Sequence, residues 1–220
     1  GHLALGDDLC VSVIKARGEV FSALEFGMNL GKGIKIIDPL THLRTDSEKG
    51  RILSSLEKLR GEIEEILRIE LIHEVGSNLG FSLDRPRTEQ EVAAYSGRIV
   101  RDGARARIVG CAKFGASKHI ARIIIAASRF DGSVRCAMNV KFNKKNIDAC
   151  AKADLKMSSF TRAEEPASVS SMSWGTERAI EAFGSVPDII WDEGGHGKEP
   201  MIRILGKDPD DVLTKLRSVV

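Results

Sequence analysis

Apolar residues near the start of the chain recur at helical spacing. Over residues 7–30 this spacing predicts a helix with Asp7 or Asp8 as its N-cap and Gly31 as its stop. The residues that follow, up to position 44, lack such a period and are expected to form an extended connection. The chain therefore opens with one helix and a linker.

A second helical pattern begins at the sequence TDSE, residues 45–48. A Ser or Thr followed three positions later by Glu fits a capping box, in which the two side chains satisfy backbone N–H groups at a helix start. Glu, Lys and Arg fill the polar face of the predicted helix. Its apolar positions are Ile52, Leu53, Leu56, Leu59, Ile63, Ile66 and Leu67.

From residue 71 onwards, short β-rich runs alternate with helical patterns. The dipeptide Asp102-Gly103 lies between two such runs and predicts a β-hairpin. The expected elements are a strand or irregular segment at 71–83, a short helix at 89–95, the hairpin at 97–110, helices at 119–130, 143–153, 176–184 and 208–220, and strands at 134–142, 155–162, 188–191 and 201–206.

This alternation predicts the α/β class, as a three-layer α/β/α sandwich with helices on both faces of one sheet. The hairpin favours a mixed sheet over an all-parallel one. We expect two parts: an N-terminal helical segment with its linker at 1–44, and the α/β domain at 45–220.

Composition narrows the classes of function. Hydrophobic residues make up 42% of the chain, charged residues 29%, and the net charge is +2, so we expect no nucleic-acid partner. No apolar run has membrane-spanning length, which argues against a membrane partner. The four cysteines show no CxxC spacing, which indicates reduced thiols in a cytoplasmic protein. They are Cys10, Cys111, Cys136 and Cys150.

The sequence WDEGGHGKEPMIR, residues 191–203, places several chemical groups at a strand end. A glycine-rich turn around Gly195 could present backbone N–H groups to an anion, with Lys198 adding a positive charge. Asp192 and Glu193 are candidate Mg²⁺ ligands, since that ion takes oxygen ligands. An acidic surface turn explains the same pattern equally well.

The sequence GASKH, residues 115–119, lies where a loop gives way to an apolar helix. Helix N-termini attract anions, and His119 could donate to a phosphate oxygen or move a proton. Spacing alone favours a structural histidine there. Arg98 could bind phosphate through two hydrogen bonds or lie on a surface hairpin. The further candidate ligands of phosphate or substrate are Ser77, Asn78, Gly115, Ser117, Asn139, Ser159 and Arg203.

Six segments, in this order, resemble the archaeal-type thiamine-phosphate synthase domain, which is often fused behind a hydroxymethylpyrimidine (phosphate) kinase domain. They are EVGSNLGFSL, GRIVRDG, VGCAKFGASKHIARIIIAASRFD, RCAMNVKF, SSFTRAEEP and WGTERAIEAFGSVPDIIWDEGGHGKEPMIRILGKDP. Upstream, EFGMNLGKG is similar to the last helix of such a kinase, which implies a kinase domain before this chain.

The resemblance implies an architecture like that of the class II aldolases and epimerases. It implies condensation of hydroxymethylpyrimidine diphosphate with thiazole phosphate to give thiamine phosphate and pyrophosphate. It assigns activity to Arg98 and His119, which changes the interpretation of His119 from a structural to a catalytic residue. With Mg²⁺ these two groups would stabilise the leaving diphosphate. A homodimer is one assembly we consider.

Two alternatives remain at this point. A related branch of the family binds thiamine phosphate as a regulator without making it, and it carries a preceding helix-turn-helix domain. The N-terminal region of this sequence shows no helix-turn-helix pattern, which counts against this alternative. A sugar-phosphate aldolase rests on fold analogy alone. Such an enzyme needs a histidine cluster, which the spacing of His42, His73, His119 and His196 does not provide.

Overall fold

The computed structural model describes residues 1–25, 27, 32–34, 36–166, 171–195 and 197–219. The predicted helix stop at Gly31 and the side chain of His196 lie outside these residues. By compactness the chain divides into Gly1–Arg51 and Ile52–Val220, and the division falls within a helix. The predicted domain boundary at residue 44 stays a prediction.

The first unit contains a 3-10 turn at His2–Leu5, the helix α1 (Leu9–Glu25) and the start of α2 (Thr41–Lys58). Asp8 caps α1, because its Oδ1 accepts a hydrogen bond from the N–H of Val11 at 3.1 Å. The helix α2 begins before the predicted capping box at 45–48. Asp38 starts this helix instead: its Oδ1 accepts from the N–H of Leu40, and its carbonyl accepts from the Thr41 hydroxyl at 2.7 Å.

The second unit is built on a seven-stranded sheet with strand order β5-β2-β1-β6-β9-β8-β7. Neighbouring strands are antiparallel except β7 and β8, which are parallel, so the predicted mixed sheet is confirmed. The strands are β1 (Asn78–Ser82), β2 (Val92–Tyr95), β5 (Ala112–Phe114), β6 (Cys136–Lys141), β7 (Met157–Ser159), β8 (Ile189–Asp192) and β9 (Met201–Gly206).

The hairpin forms as predicted, from β3 (Ile99–Asp102) and β4 (Arg105–Ile108), and Gly103 has a φ of +60° in its turn. The hairpin is a separate two-stranded sheet. The prediction that the hairpin makes the large sheet mixed is therefore wrong, and the parallel pair β7 and β8 makes it mixed instead. The position of the hairpin is fixed from α3 (Arg60–Ile66). The Arg60 guanidinium donates to the carbonyls of Ile108 and Gly110, at 2.9 and 2.5 Å.

Helices cover both faces of the large sheet, which confirms the three layers. On one face lie α4 (Lys118–Phe130) and α6 (Ser171–Phe183), and on the other α5 (Lys144–Lys152) and α7 (Pro209–Val219). Successive side chains of a strand point to opposite faces. Accordingly, Ala137 belongs to the apolar core beneath α4 and α6, and Met138 to the core beneath α5 and α7.

The prediction of a short helix at 89–95 is wrong. Only Glu89–Glu91 forms a helical turn, a 3-10 turn that Thr88 closes in a capping box. The four residues of β2 then pair with β1 on one side and β5 on the other, and all four are buried. Pairing on both sides outweighs the weak local helical preference of this alanine-containing run.

Candidate functional site

Arg98 lies in the link between β2 and β3 in a conformation that is rare for a non-glycine residue, with a φ of +67°. Its surroundings hold it there: its carbonyl accepts from the N–H of Val109 at 2.9 Å, and its Nη1 donates to the carbonyl of Val75 at 2.5 Å. Such backbone strain costs about 1–3 kcal/mol and clusters at functional sites. The Arg98 side chain is exposed.

His119 is the second residue of α4 and is also accessible to solvent. The helix begins at Ser117, whose hydroxyl accepts a hydrogen bond from the N–H of Ile120 at 3.4 Å. The first N–H groups of a helix lack partners within it and carry the positive end of its dipole. His119 therefore lies where a negatively charged ligand is favoured.

Arg98 and His119 lie close enough for the charge of Arg98 to lower the pKa of His119. Desolvation by the surrounding protein is the largest cause that lowers the pKa of His119, and the charges of Arg203, Arg162, Arg98 and His73 lower it further, to about 4. His119 is exposed by its accessible surface, and the positive charges around it lower its pKa in the same direction as desolvation does. At neutral pH the imidazole is thus uncharged and can donate one N–H.

We expect Arg98→Ala to raise the pKa of His119, because the substitution removes one positive charge that opposes protonation. Histidine NMR titration of the folded protein measures this, with a wild-type midpoint of about 4. Since this pKa lies below the usual 6.5, the contribution of His119 to stability falls as the pH drops from 6.5 towards 4. An unchanged midpoint in the variant would mean that Arg98 does not act on the imidazole.

Arg162, Asp192 and Arg203 form a buried ion cluster near His119. The Asp192 carboxylate accepts from Arg162 Nε at 2.6 Å, from Arg162 Nη2 at 3.1 Å and from Arg203 Nη1 at 2.8 Å. Both guanidinium groups lie over the Phe160 ring, at 5.6 and 5.0 Å from its centroid. Two positive charges therefore share one carboxylate, which leaves the cluster cationic.

A cavity of about 650 Å³ opens beyond the carboxyl ends of the parallel strands β7 and β8. Ligands bind at this end of parallel strands in many α/β proteins. Its lining combines cations, glycines and aromatic residues: Ser159, Phe160, Thr161, Arg162, Ala163, Trp191, Glu193, Gly194, Gly195 and Lys198.

The glycine turn after β8 closes on itself. The N–H of Gly195 donates to the carbonyl of Lys198 and the N–H of Lys198 to the carbonyl of Gly195, both at 3.0 Å, while the N–H of Gly194 bonds to Asp192. These three N–H groups are therefore used within the turn. The Lys198 ammonium remains as the turn's charged group and lies 2.8 Å from Glu165.

Asn78 and Asn139 link the strands beneath the site. Asn139 Oδ1 accepts from the N–H of Asn78 at 2.8 Å, and the Asn78 side chain bonds to both the N–H and the carbonyl of Tyr95. Ser77 is fully buried and pairs through its backbone with Ile99, the residue after Arg98. These three polar residues thus fix the strands that hold Arg98, and their predicted contacts to a ligand stay predictions.

Gly115 shapes the loop that leads to His119. It has a φ of +72°, and a Cβ atom there would lie 2.4 Å from the Gln90 Oε1 atom. We expect Gly115→Ala to destabilise the domain by about 1–3 kcal/mol, since the positive φ is strained for alanine and the Gln90 side chain must also move aside. Gly132→Ala is the matched control, because a Cβ atom at Gly132 meets nothing within 4 Å. Urea unfolding measures both; equal midpoints would contradict this account.

The predicted Mg²⁺ ligands do not fit that ion. Both oxygens of Asp192 already accept from guanidinium groups, and Asp192 is fully buried, whereas Glu193 is exposed. Among the residues that the structure describes, no three His, Cys, Asp or Glu side chains are grouped to hold a metal ion. Mg²⁺ itself stays a prediction, and no step below depends on it.

The sequence analysis did not identify Arg162 as a site residue, and it predicted a role for Arg203 that differs from the position of its side chain in the structure. Arg203 was a candidate phosphate ligand, but its side chain is fully buried and bound to Asp192. Arg162 lies in the quoted segment SSFTRAEEP, three residues after the end of β7 at Ser159. The predicted strand at 155–162 ends on this cation, and a charged residue at a strand end was the signal that could have identified it.

The structure thus describes an α/β domain with a cavity lined by Arg162 and Lys198, and with Arg98 close enough to act on the charge of His119. The pattern of the family described as thiamine-phosphate synthase ThiN matches residues 55–218, and the chain belongs to this family. The resemblance found in the sequence is therefore confirmed. Within the described residues, no helix is both long and apolar enough to cross a membrane.

Two curated relatives carry names from thiamine biosynthesis. The bifunctional thiamine biosynthesis protein ThiDN of Methanocaldococcus jannaschii is 48% identical over 154 residues, which cover 70% of this chain and 37% of that protein. The thiamine-phosphate synthase ThiN of Methanothermobacter thermautotrophicus is 36% identical over 170 residues, which cover 73% of this chain and 90% of that protein. The chain thus spans little more than a third of the bifunctional relative.

Solved structures agree on the fold. A crystal structure described as the C-terminal domain of phosphomethylpyrimidine kinase aligns with a TM-score of 0.75 at 36% identity, and covers 78% of this chain and 100% of its own. An aldolase II superfamily protein from Pseudomonas syringae reaches a TM-score of only 0.39 at 8% identity. The aldolase-like part of the fold prediction therefore stays a prediction.

Proposed function

We propose that this chain is a thiamine-phosphate synthase, a transferase that condenses hydroxymethylpyrimidine diphosphate with thiazole phosphate to give thiamine phosphate and pyrophosphate. Family membership supports this reaction. The structural observation that carries it is that the charge of the exposed Arg98 acts on the exposed His119, so both groups serve one site. The reaction expels a highly charged leaving group, and a guanidinium and an imidazole N–H together suit its stabilisation.

The chemistry needs one bond to break and one to form. The bond between the pyrimidine methylene carbon and the diphosphate oxygen breaks, and pyrophosphate leaves with the electron pair. The thiazole nitrogen donates its lone pair to the same carbon and becomes positively charged. The protein must stabilise the departing negative charge and hold the nitrogen in line with the carbon.

Arg98 and His119 suit the first task. The Arg98 guanidinium can bind two diphosphate oxygens at once, a geometry that a lysine cannot reproduce. The neutral imidazole of His119 can donate an N–H to a third oxygen, beside the unpaired N–H groups at the start of α4. Both side chains are exposed and therefore within reach of a substrate.

The other candidate groups act on phosphate or substrate nearby. Lys198 can offer its ammonium from the turn at Gly195, and Ser117 and Ser159 offer hydroxyls at element ends. A Mg²⁺ ion that neutralises the diphosphate would have to find ligands other than Asp192, for the reason given above. The role of these groups in the reaction is part of this proposal.

The setting of the domain is part of the same proposal. We place a phosphomethylpyrimidine kinase domain upstream, which the bifunctional ThiDN relative supports. The apolar residues that α1 exposes are consistent with a preceding domain that covers them, among them Val13, Val20 and Leu24. A cytoplasmic location, a homodimer and the class II aldolase-like architecture complete the proposal.

A condensation assay tests the function directly. The purified chain is incubated with both substrates and Mg²⁺, and thiamine phosphate and pyrophosphate are measured separately. We expect equal amounts of the two products and none when either substrate is omitted. Tight binding of thiamine phosphate without turnover would instead support the regulatory, non-catalytic alternative.

A further inference from the structure

We propose that the cavity beyond β7 and β8 is the subsite for thiazole phosphate, an aromatic phosphate monoester. Arg162 binds the phosphate, Trp191 contacts the ring, and Asp192 positions Arg162. The diphosphate occupies a separate subsite at Arg98 and His119. This inference rests on the proposed function and divides its site between the two substrates.

The Arg162 guanidinium is fixed in position by Asp192, and its Nη1 atom lies beyond hydrogen-bond distance of Glu165. Two of its nitrogens are fixed on Asp192, whereas Nη1 lies 4.0 Å from the nearest Glu165 oxygen, beyond hydrogen-bond distance. The side chain is 6% exposed, so little conformational freedom remains to be lost on binding. Because Asp192 is fully buried, it acts on a ligand through the groups it holds, which are the two guanidinium groups and the N–H of Gly194.

The charge of the cavity suits the less charged of the two substrates. Asp192 and Glu165 offset much of the positive charge of Arg162, Arg203 and Lys198. The Arg98 side chain, by contrast, donates to the backbone carbonyl of Val75. Among the described residues, no carboxylate forms an ion pair with it. A diphosphate is therefore favoured at Arg98, and a monophosphate at Arg162.

The cavity also has an aromatic wall. Trp191 lines it and is itself stacked on Phe142, with the ring centroids 5.3 Å apart and the planes 20° apart. A stacked indole is rigid, and aromatic rings pair favourably with one another. A heterocycle linked to a phosphate could thus contact Trp191 while its phosphate meets Arg162.

Two variants test the assignment by steady-state kinetics. We expect Arg162→Lys to raise the KM for thiazole phosphate about ten- to hundredfold, since a charge-assisted hydrogen bond is lost. Trp191→Leu should raise it by roughly two- to tenfold. The KM for the pyrimidine diphosphate should stay within about twofold of wild type in both. Arg129→Lys, at an exposed arginine on α4, is the matched control and should change neither.

Fluorescence separates this inference from the proposed function. The chain has two tryptophans, so Trp174→Phe leaves Trp191 as the reporter. We expect thiazole phosphate to change its emission and inorganic phosphate to compete with that change, whether or not turnover occurs. Suppose that the wild type turns over, that thiazole phosphate leaves the Trp191 emission of the Trp174→Phe protein unchanged, and that both variants keep the wild-type KM for thiazole phosphate. These results would overturn the subsite and leave the function standing. Absence of turnover in wild type would overturn the function instead.

Discussion

Replacing His119 with alanine is expected to lower kcat for thiamine phosphate formation by about 10²- to 10³-fold. Loss of one preorganised donor to developing negative charge has an effect of this size. Arg98→Ala should lower kcat at least as much, because its guanidinium supplies charge as well as hydrogen bonds. Rapid measurement of pyrophosphate release under saturating substrates checks both values.

Matched variants show whether the effect belongs to the site. His42→Ala changes an exposed histidine of the first unit, and Arg129→Ala an exposed arginine of α4, so both should retain wild-type kcat. Arg98→Lys should recover only part of the loss, since an ammonium cannot bind two oxygens in one plane. Wild-type rates in both alanine variants at 98 and 119 would remove these residues from the mechanism.

The second large effect is on stability: Asp192→Asn is expected to cost about 3–5 kcal/mol of the free energy of unfolding. The substitution keeps the shape of the side chain but leaves the charges of Arg162 and Arg203 buried without their carboxylate. For a domain of this size the loss corresponds to a decrease of roughly 6–20 °C in Tm. Calorimetry of the purified variant measures it.

The same experiment separates a structural from a metal-binding Asp192. Asp148→Asn, at an exposed position on α5, should change stability by less than about 0.5 kcal/mol. The decrease caused by Asp192→Asn should be equal with and without a chelator. If a chelator lowered the Tm of the wild type as far as the substitution does, Asp192 would be a metal ligand after all.

Sequence reasoning succeeded where the signal is local. The helix α4 has Ser117 as its cap and an apolar run after it, and the hairpin has Gly103 in its turn, so neighbouring residues determine both. Strands β2 and β5 escaped prediction because they are only four and three residues long and exist through pairing with partners distant in the chain. Pairing of that kind leaves little trace in a short window of sequence.

The same difference explains the site. Adjacent carboxylates at Asp192 and Glu193 suggested a metal ion, but the partners of Asp192 lie 30 and 11 residues away in the chain, at Arg162 and Arg203. Only folding brings these charges together, and a carboxylate between two guanidinium groups has no oxygen left for a cation. Arg98 and His119 were identified through the family resemblance, not through spacing.

The most direct test of the central claim is NMR of the His119 imidazole in the presence of pyrophosphate. If Arg98 and His119 hold the diphosphate together, the bound anion should raise the pKa of His119 by at least about one unit from its value of about 4. In Arg98→Ala the same pyrophosphate concentration should raise it much less. A His119 resonance and pKa that saturating pyrophosphate leaves unchanged in the wild type would contradict the account.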